Sequence, residues 1–160
     1  MKIAHLCLSN FYIDEHLYQE NALVREHVAS GHDVIVIAST ENFDGNKALV
    51  YGEPKDYIGS DGARVIRLAY RHFPNLLARK LRAHRGVKKV LDEFRPNVIL
   101  FHGACGWELR TAAAFARSHP HVRLLVDSHE DWNNSARGFI SRNVLHRYYY
   151  APILRSAIDV

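Results

Sequence analysis

The segment GHDVIVIA, residues 31–38, decides the fold class of this chain. Its glycine suits the left-handed position after the last turn of a helix, and the apolar run that follows is typical of a buried parallel strand. The preceding residues 16–30 predict that helix, because apolar side chains recur on one face together with one asparagine. This face carries Leu17, Asn21, Val24 and Val28. With the apolar run of residues 3–8 before it, the segment completes a strand–helix–strand unit.

The same alternation of apolar runs and helical patterns continues along the chain and predicts an α/β fold. Further strands are expected at residues 65–68, 98–101, 122–126 and 156–160. Pro74 opens a helical stretch that Gly86 divides in two. Residues 39–61 are polar and contain several glycines, so we expect a long surface loop there. The expected architecture is a Rossmann-like open parallel sheet with helices on both faces and its first strands in the order 3-2-1-4.

The composition supports one packed domain. The chain has 160 residues and 18.3 kDa, 48% of them hydrophobic and 24% charged, which excludes disordered, collagen-like and coiled-coil classes. Cys7 and Cys105 lie far apart without CxxC spacing, so we expect buried or partly buried free thiols. The N-terminal apolar run soon meets Asp14 and Glu15, unlike a signal peptide, and no run reaches the roughly 18 apolar residues of a membrane span. We therefore expect a cytoplasmic protein.

The net charge of +4 is unevenly distributed. Between Asp61 and Asp92 there is no acidic residue, but there are nine lysines and arginines, interleaved with leucines. This pattern is typical of a helix that docks on anionic lipid or on a phosphate-bearing lipid acceptor at the inner face of a membrane. A solvated basic helix face is the alternative, and nucleic acid is not expected because no recognition motif accompanies the charge. The residues expected to dock are Arg79, Lys80, Arg82, Arg85, Lys88 and Lys89.

Polar residues cluster where three of the predicted strands end. Because ligands of open α/β sheets bind outside the carboxyl ends of strands, these residues are candidates for binding a substrate. They are Asn10 after the first strand, His102 and Gly103 after the fourth, and His129, Glu130 and Asp131 after the fifth. Ordinary hydrogen bonds within loops are the alternative for each of them, and Glu130 and Asp131 could also cap the next helix. Asn21 is either a buried side chain bonded to a strand-end loop or a contact to ligand.

Several chemistries are disfavoured by motifs that the sequence lacks. The first loop has no GxGxxG pattern for a dinucleotide, and neither a P-loop nor a GxSxG nucleophile elbow occurs. The histidines and carboxylates near the strand ends do not follow HxH or HExxH spacing. We therefore predict no metal site, no NAD cofactor and no serine hydrolase.

The order of several segments resembles the N-terminal half of group 1 (family 4) glycosyltransferases, which have the GT-B fold. The segments are MKIAHLCLS at 1–9, YQENALVREHVASGHDVIVIAS at 18–39, GARVIRL at 62–68, PNVILFHG at 96–103 and LLVDSHED at 124–131. The resemblance spans essentially the whole chain. It is weaker in the first loop, where many members carry two glycines and this chain has Ile13, Asp14 and Glu15. Carboxylates beside a diphosphate would be unfavourable, so contact of this loop with the donor phosphate is not expected.

The resemblance implies a retaining transferase in which residues 1–160 form the acceptor-binding domain. A second, C-terminal domain that binds the nucleotide sugar would be the partner, and the nucleotide sugar would be a substrate rather than a cofactor. By the same resemblance, His129 matches the histidine that contacts the reacting sugar or the acceptor at the cleft and is the candidate catalytic residue. The isolated chain is then expected to be inactive.

Two other functions remain open at this stage. One is a non-catalytic subunit of a split glycosyltransferase that docks on a membrane or a partner. The other is an α/β protein that binds a small ligand unrelated to sugars.

Overall fold

The computed structural model describes residues 1–46, 48–72, 75–128, 139 and 141–158. It contains a six-stranded sheet made of β1 (Lys2–Cys7), β2 (Asp33–Ser39), β5 (Lys55–Ile58), β6 (Arg64–Leu68), β7 (Val98–His102) and β8 (Arg123–Asp127). The strand order is β5-β6-β2-β1-β7-β8, and only the β5–β6 pair is antiparallel. The five strands expected before residue 127 are therefore present, in the predicted Rossmann-like order.

Helices cover both faces of the sheet. They are α1 (Gln19–Ala29), α2 (Asn75–Lys80), α3 (Val87–Phe94), α4 (Glu108–Ser118), a π-type helix α5 (Ser141–Tyr150) and α6 (Ala151–Ile158). Gly31 follows α1 with φ of 76°, and Gly86 precedes α3 with φ of 84°, as the sequence predicted for both boundaries. Left-handed backbone of this kind is unfavourable for residues with a Cβ atom, which explains the glycine at each position. None of the described helices is long and apolar enough to cross a membrane.

The core has two parts, one on each face of the sheet. Leu6, Ile99 and Phe101 point to the face covered by α3, α4 and α6, where Leu91 and Leu109 are fully buried. The alternate residues of β1 and β2 point to the face covered by α1, whose Val24 is fully buried there. Cys7 belongs to this second part and is buried, Cys105 is partly buried, and neither forms a disulfide, which confirms the expectation for the cysteines.

The prediction of a long surface loop at residues 39–61 is wrong. Besides β5, this stretch forms a separate antiparallel hairpin of β3 (Glu41–Phe43) and β4 (Leu49–Tyr51). Asp44 sets the turn, because its carboxylate accepts hydrogen bonds from the backbone N–H groups of Asn46 and Ala48. The three strands have three or four residues each and are mostly exposed, so they carry no apolar period that sequence reasoning could detect.

The prediction of a sixth strand at residues 156–160 is also wrong for residues 156–158, because α6 continues to Ile158. Residues 159 and 160 lie outside the described part of the chain. Ile153 and Ala157 are four residues apart and both are buried against the core. That spacing places both side chains on one face of a helix, which explains why this segment is helical and not a strand.

Candidate functional site

The loop after β1 packs tightly against the loop after β7, at the carboxyl edge of the sheet. Gly103 has φ of 86°, and a Cβ atom at this position would lie 2.6 Å from Oδ1 of Asn10. The hydroxyl of Ser9 donates to the carbonyl of Cys105 in the same region. The structure therefore brings together Asn10 and Gly103, two of the predicted site residues, and only glycine permits their approach.

Asn10 also defines one side of a cavity of about 370 Å³. Its Nδ2 donates to Oε1 of Glu20 over 2.6 Å, and Glu20 is largely buried at the start of α1. On the other side, the rings of Phe11 and Phe43 lie 5.2 Å apart between centroids. The cavity is lined by Ser9, Asn10, Phe11, Tyr18, Glu20, Phe43 and Arg82. It thus offers hydrogen-bonding groups and apolar ring surface to one ligand.

Arg82 is not on the expected membrane-docking surface. Its guanidinium pairs with the buried carboxylate of Glu41 and lies 5.7 Å from the ring centroid of Phe11. Burial alone would lower the pKa of this guanidinium, but the carboxylate of Glu41 and the hydroxyl of Tyr70 outweigh burial and raise it. Arg82 therefore contributes a positive charge to the lining of the cavity. Its side chain is held there by Glu41, a partner forty-one residues away in sequence.

His102 is placed inside the fold rather than in the cavity. Its side chain is 1% exposed, with Nδ1 at 2.6 Å from Oδ2 of Asp127 and Nε2 at 3.0 Å from Nδ1 of His5. The backbone N–H of Gly103 donates to Oδ1 of the same Asp127 over 3.0 Å. The expectation that the His102 side chain contacts substrate is corrected accordingly, because its ring nitrogens face other side chains of the protein.

Asn21 is a buried side chain bonded to a strand-end loop, which was the first of the two alternatives stated from the sequence. It is buried, and its Nδ2 donates to the carbonyl of Ile13 over 3.0 Å. It therefore holds the first loop against α1. In that loop, Glu15 has φ of 66°, and the carboxylate of Asp14 accepts a hydrogen bond from Tyr57 and lies 3.5 Å from Arg67.

His129, Glu130 and Asp131 lie outside the described residues, so their roles stay predictions. The described chain reaches Ser128, one residue beyond the end of β8. Asp127, the last residue of β8, is joined to Gly103 as described above. The strand that precedes His129 in sequence therefore ends at the same edge of the sheet as the cavity.

The other residues of the expected docking surface lie on two elements. On α2, the guanidinium of Arg79 is 3.7 Å from the ring centroid of Tyr51, and Lys80 is exposed. On α3, Lys88 and Lys89 form exposed i,i+4 ion pairs with Asp92 and Glu93, while Arg85 is exposed just before this helix. Exposed pairs of this kind contribute little to stability.

Sequence reasoning missed three groups of the site: Glu20, Glu41 and the pair of rings at Phe11 and Phe43. Phe11 had a usable signal, since it directly follows Asn10 at a strand end. Glu41 and Phe43 fell in the segment interpreted as a loop, where no pattern marked them.

The mostly parallel sheet with helices on both faces defines a Rossmann-like α/β domain, with a cavity at the carboxyl edge of its central strand. The chain belongs to the glycosyl transferase 4-like family, whose domain model matches residues 21–158. This match confirms the resemblance stated from the sequence. Among solved structures, sucrose-phosphate synthase from Thermosynechococcus elongatus is similar with a TM-score of 0.47 and 16% identity, over 81% of this chain and 33% of that chain. This chain thus spans about a third of that protein, and no curated protein matches the sequence.

Proposed function

We propose that this domain holds the acceptor in a retaining glycosyltransferase, which transfers a sugar from a nucleotide sugar to a polysaccharide or glycoconjugate. The observation that carries the proposal is the cavity at the carboxyl end of β1, in a chain of a glycosyltransferase family. A saccharide has hydroxyl groups that need hydrogen-bond partners and C–H faces that pack on aromatic rings. The cavity supplies both kinds of contact, through Asn10 and Glu20 on one side and Phe11 and Phe43 on the other.

Glu20 is the group that would recognise an acceptor hydroxyl most strongly. Its position is fixed by the 2.6 Å hydrogen bond from Asn10, so the carboxylate is oriented before a ligand arrives. A hydrogen bond from a hydroxyl to a carboxylate is charge-assisted and is stronger than one between neutral groups. Arg82 would repel a second cation from this cavity and favour a neutral or anionic acceptor.

The remaining parts of the reaction would come from outside the described residues. His129 is proposed to donate a hydrogen bond near the charge that develops during transfer. A C-terminal domain is proposed to bind the nucleotide sugar, which is a substrate, so no separate cofactor is proposed. We place the enzyme in the cytoplasm, peripheral to the inner face of the membrane.

The acceptor role of the cavity predicts the effect of Glu20→Gln in the complete enzyme. We expect the KM for the acceptor to rise about tenfold, because one charge-assisted hydrogen bond is lost while the amide still accepts from Asn10. The KM for the nucleotide sugar should stay unchanged. Steady-state kinetics with each substrate varied in turn would measure both values.

Glu26→Gln is the matched control, since Glu26 is an exposed glutamate on the same helix, α1. It should change neither KM. An unchanged acceptor KM in Glu20→Gln would show that the acceptor binds elsewhere.

Docking on an anionic membrane is proposed for the surface around α2. Apolar side chains are exposed there beside the cations Arg79 and Lys80: Leu49, Val50 and Tyr51 of β4 and Leu77 of α2 are each about 40% exposed. The Arg79 guanidinium stacks on the Tyr51 ring, which joins the two elements into one surface. The same surface would serve the second candidate function, a non-catalytic subunit that docks a partner on the membrane.

We expect the protein to co-sediment with vesicles that contain phosphatidylglycerol and to be released by high salt. Each basic residue near an anionic leaflet adds about 1 kcal/mol, so Arg79→Gln with Lys80→Gln should weaken binding about 30-fold. The exposed residues Arg25 and Arg123 provide a charge-matched double variant that should bind normally. Equal binding to neutral and anionic vesicles, or no binding to either, would contradict the proposal.

A further inference from the structure

A chain of hydrogen bonds between side chains runs from the carboxyl edge of β8 to the last turn of α1. Oδ2 of Asp127 lies 2.6 Å from Nδ1 of His102, and Nε2 of His102 lies 3.0 Å from Nδ1 of His5. Nε2 of His5 lies 3.0 Å from Nδ1 of His27. His5 and His102 are 0% and 1% exposed, while His27 is half-buried. Three histidines and a carboxylate therefore form one continuous network through the sheet.

The carboxylate gives this network a direction. A carboxylate oxygen can only accept, so Nδ1 of His102 carries the hydrogen that it donates to Asp127. In a neutral ring the other nitrogen is then bare, so Nε2 of His102 accepts from Nδ1–H of His5. Because Nδ1 of a neutral His5 carries the hydrogen, its Nε2 is bare and accepts from Nδ1–H of His27.

The surroundings keep the central ring neutral. Burial, together with the smaller effect of the neighbouring rings of His102 and His27, lowers the pKa of His5 to about 3. Burial also lowers the pKa of His27, together with its neighbours His32 and His102. With neutral rings, the donor of each hydrogen bond is determined by the bond before it.

We propose that Asp127 is a positioning residue that sets the tautomers of His102, His5 and His27 and holds the ends of β7 and β8 together. One carboxylate oxygen faces His102, and the other accepts from the backbone N–H of Gly103.

The effect of Asp127 on the tautomers does not depend on the proposed function. Only its effect on acceptor binding rests on that function. Gly103 packs directly on Asn10, whose Nδ2 holds Glu20. Any displacement of Gly103 would therefore reach the groups proposed to bind the acceptor.

Asp127→Asn provides a test that conserves shape. The N–H of Gly103 requires an acceptor, so the amide oxygen of the new side chain must face Gly103 and its NH₂ must face His102. A donor then meets Nδ1 of His102, which must become bare, and the hydrogen of this ring moves to Nε2. The reversal continues to His5, whose hydrogen also moves from Nδ1 to Nε2.

Nitrogen-15 NMR of histidine-labelled protein distinguishes the two tautomers of each ring. In the native protein we expect His102 and His5 almost fully protonated on Nδ1, and in Asp127→Asn almost fully on Nε2. Signals would be assigned with His5→Gln and His102→Gln. Asp92→Asn, on the exposed face of α3, should leave both tautomers as in the native protein.

Protonation of His102 on Nε2 in the native protein would overturn the proposal even if the variant fails to fold. Unchanged tautomers in a folded Asp127→Asn variant would overturn it as well. Since the spectra need no substrate, these outcomes are independent of whether the cavity binds an acceptor.

Discussion

Lowering the pH from 7 to 5 should reduce the free energy of unfolding by about 4 kcal/mol, through two buried histidines. Burial lowers the pKa of both His5 and His84 to about 3, from an ordinary value of 6.5. The unfolded chain therefore binds two protons near pH 6.5 that the folded chain does not bind until about pH 3. Stability from these residues is complete above pH 6.5 and is lost as the pH falls below it. Urea unfolding at pH 5, 6 and 7 would measure the loss.

His84→Gln identifies the contribution of one residue. His84 is fully buried between the ring of Tyr70 and the charged side chains of Arg71 and Arg82, which disfavour a third positive charge. The variant should lose about half of the pH dependence, whatever its stability at pH 7. His121→Gln changes an exposed histidine and should retain all of it. Stability that is constant or higher at pH 5 would contradict the prediction.

His129→Ala should lower the turnover of the complete enzyme by roughly 100-fold or more, with little change in its unfolding temperature. The reason is that His129 follows Asp127, the last residue of β8, by two residues in sequence, and β8 ends at the edge of the sheet where Asn10, Gly103 and the cavity lie. Loss of a hydrogen-bond donor near developing charge raises the barrier of the chemical step, so kcat should fall more than the KM values rise. Steady-state and single-turnover kinetics would separate these effects.

His121→Ala is the matched control for this variant as well, because His121 precedes β8 at the opposite end of the strand. It should retain normal turnover. Full activity of His129→Ala would remove His129 from the site, while a lower unfolding temperature with reduced kcat would indicate a structural role.

The pattern of apolar residues along the sequence predicted the strands and helices that are held mainly by burial of their side chains. The apolar runs of β1, β2 and β7 lie inside the sheet and β8 pairs with β7 at its edge, while Gly31 and Gly86 fix helix boundaries through their backbone alone. The β3–β4 hairpin and β5 were missed because they are held by backbone pairing and by Asp44, with little burial. Residues 156–158 were misassigned because a short apolar run fits a strand as well as a buried helix.

The candidate site was predictable only to the level of which residues meet at one edge. The strand-end rule brought Asn10 and Gly103 together, as found. The direction of each side chain depended on partners distant in sequence: Glu41 turns Arg82 inward, and His5 and Asp127 take both nitrogens of His102. His5 itself carried a signal, since a histidine in a fully buried strand needs hydrogen-bond partners.

The hairpin gives the cavity two walls of unequal stiffness. Asn10 follows the central strand β1, which is hydrogen-bonded on both sides, whereas Phe43 belongs to a three-residue strand paired with an exposed neighbour. Segments with few buried apolar contacts open at low free-energy cost, while central strands open only with the whole domain. The side of the cavity formed by Asn10 and Phe11 therefore keeps a constant geometry, and Phe43 on the hairpin can move to fit ligands of different thickness. For the acceptor proposed above, such a cavity would keep the recognition of one hydroxyl group constant while the rest of the ligand varies.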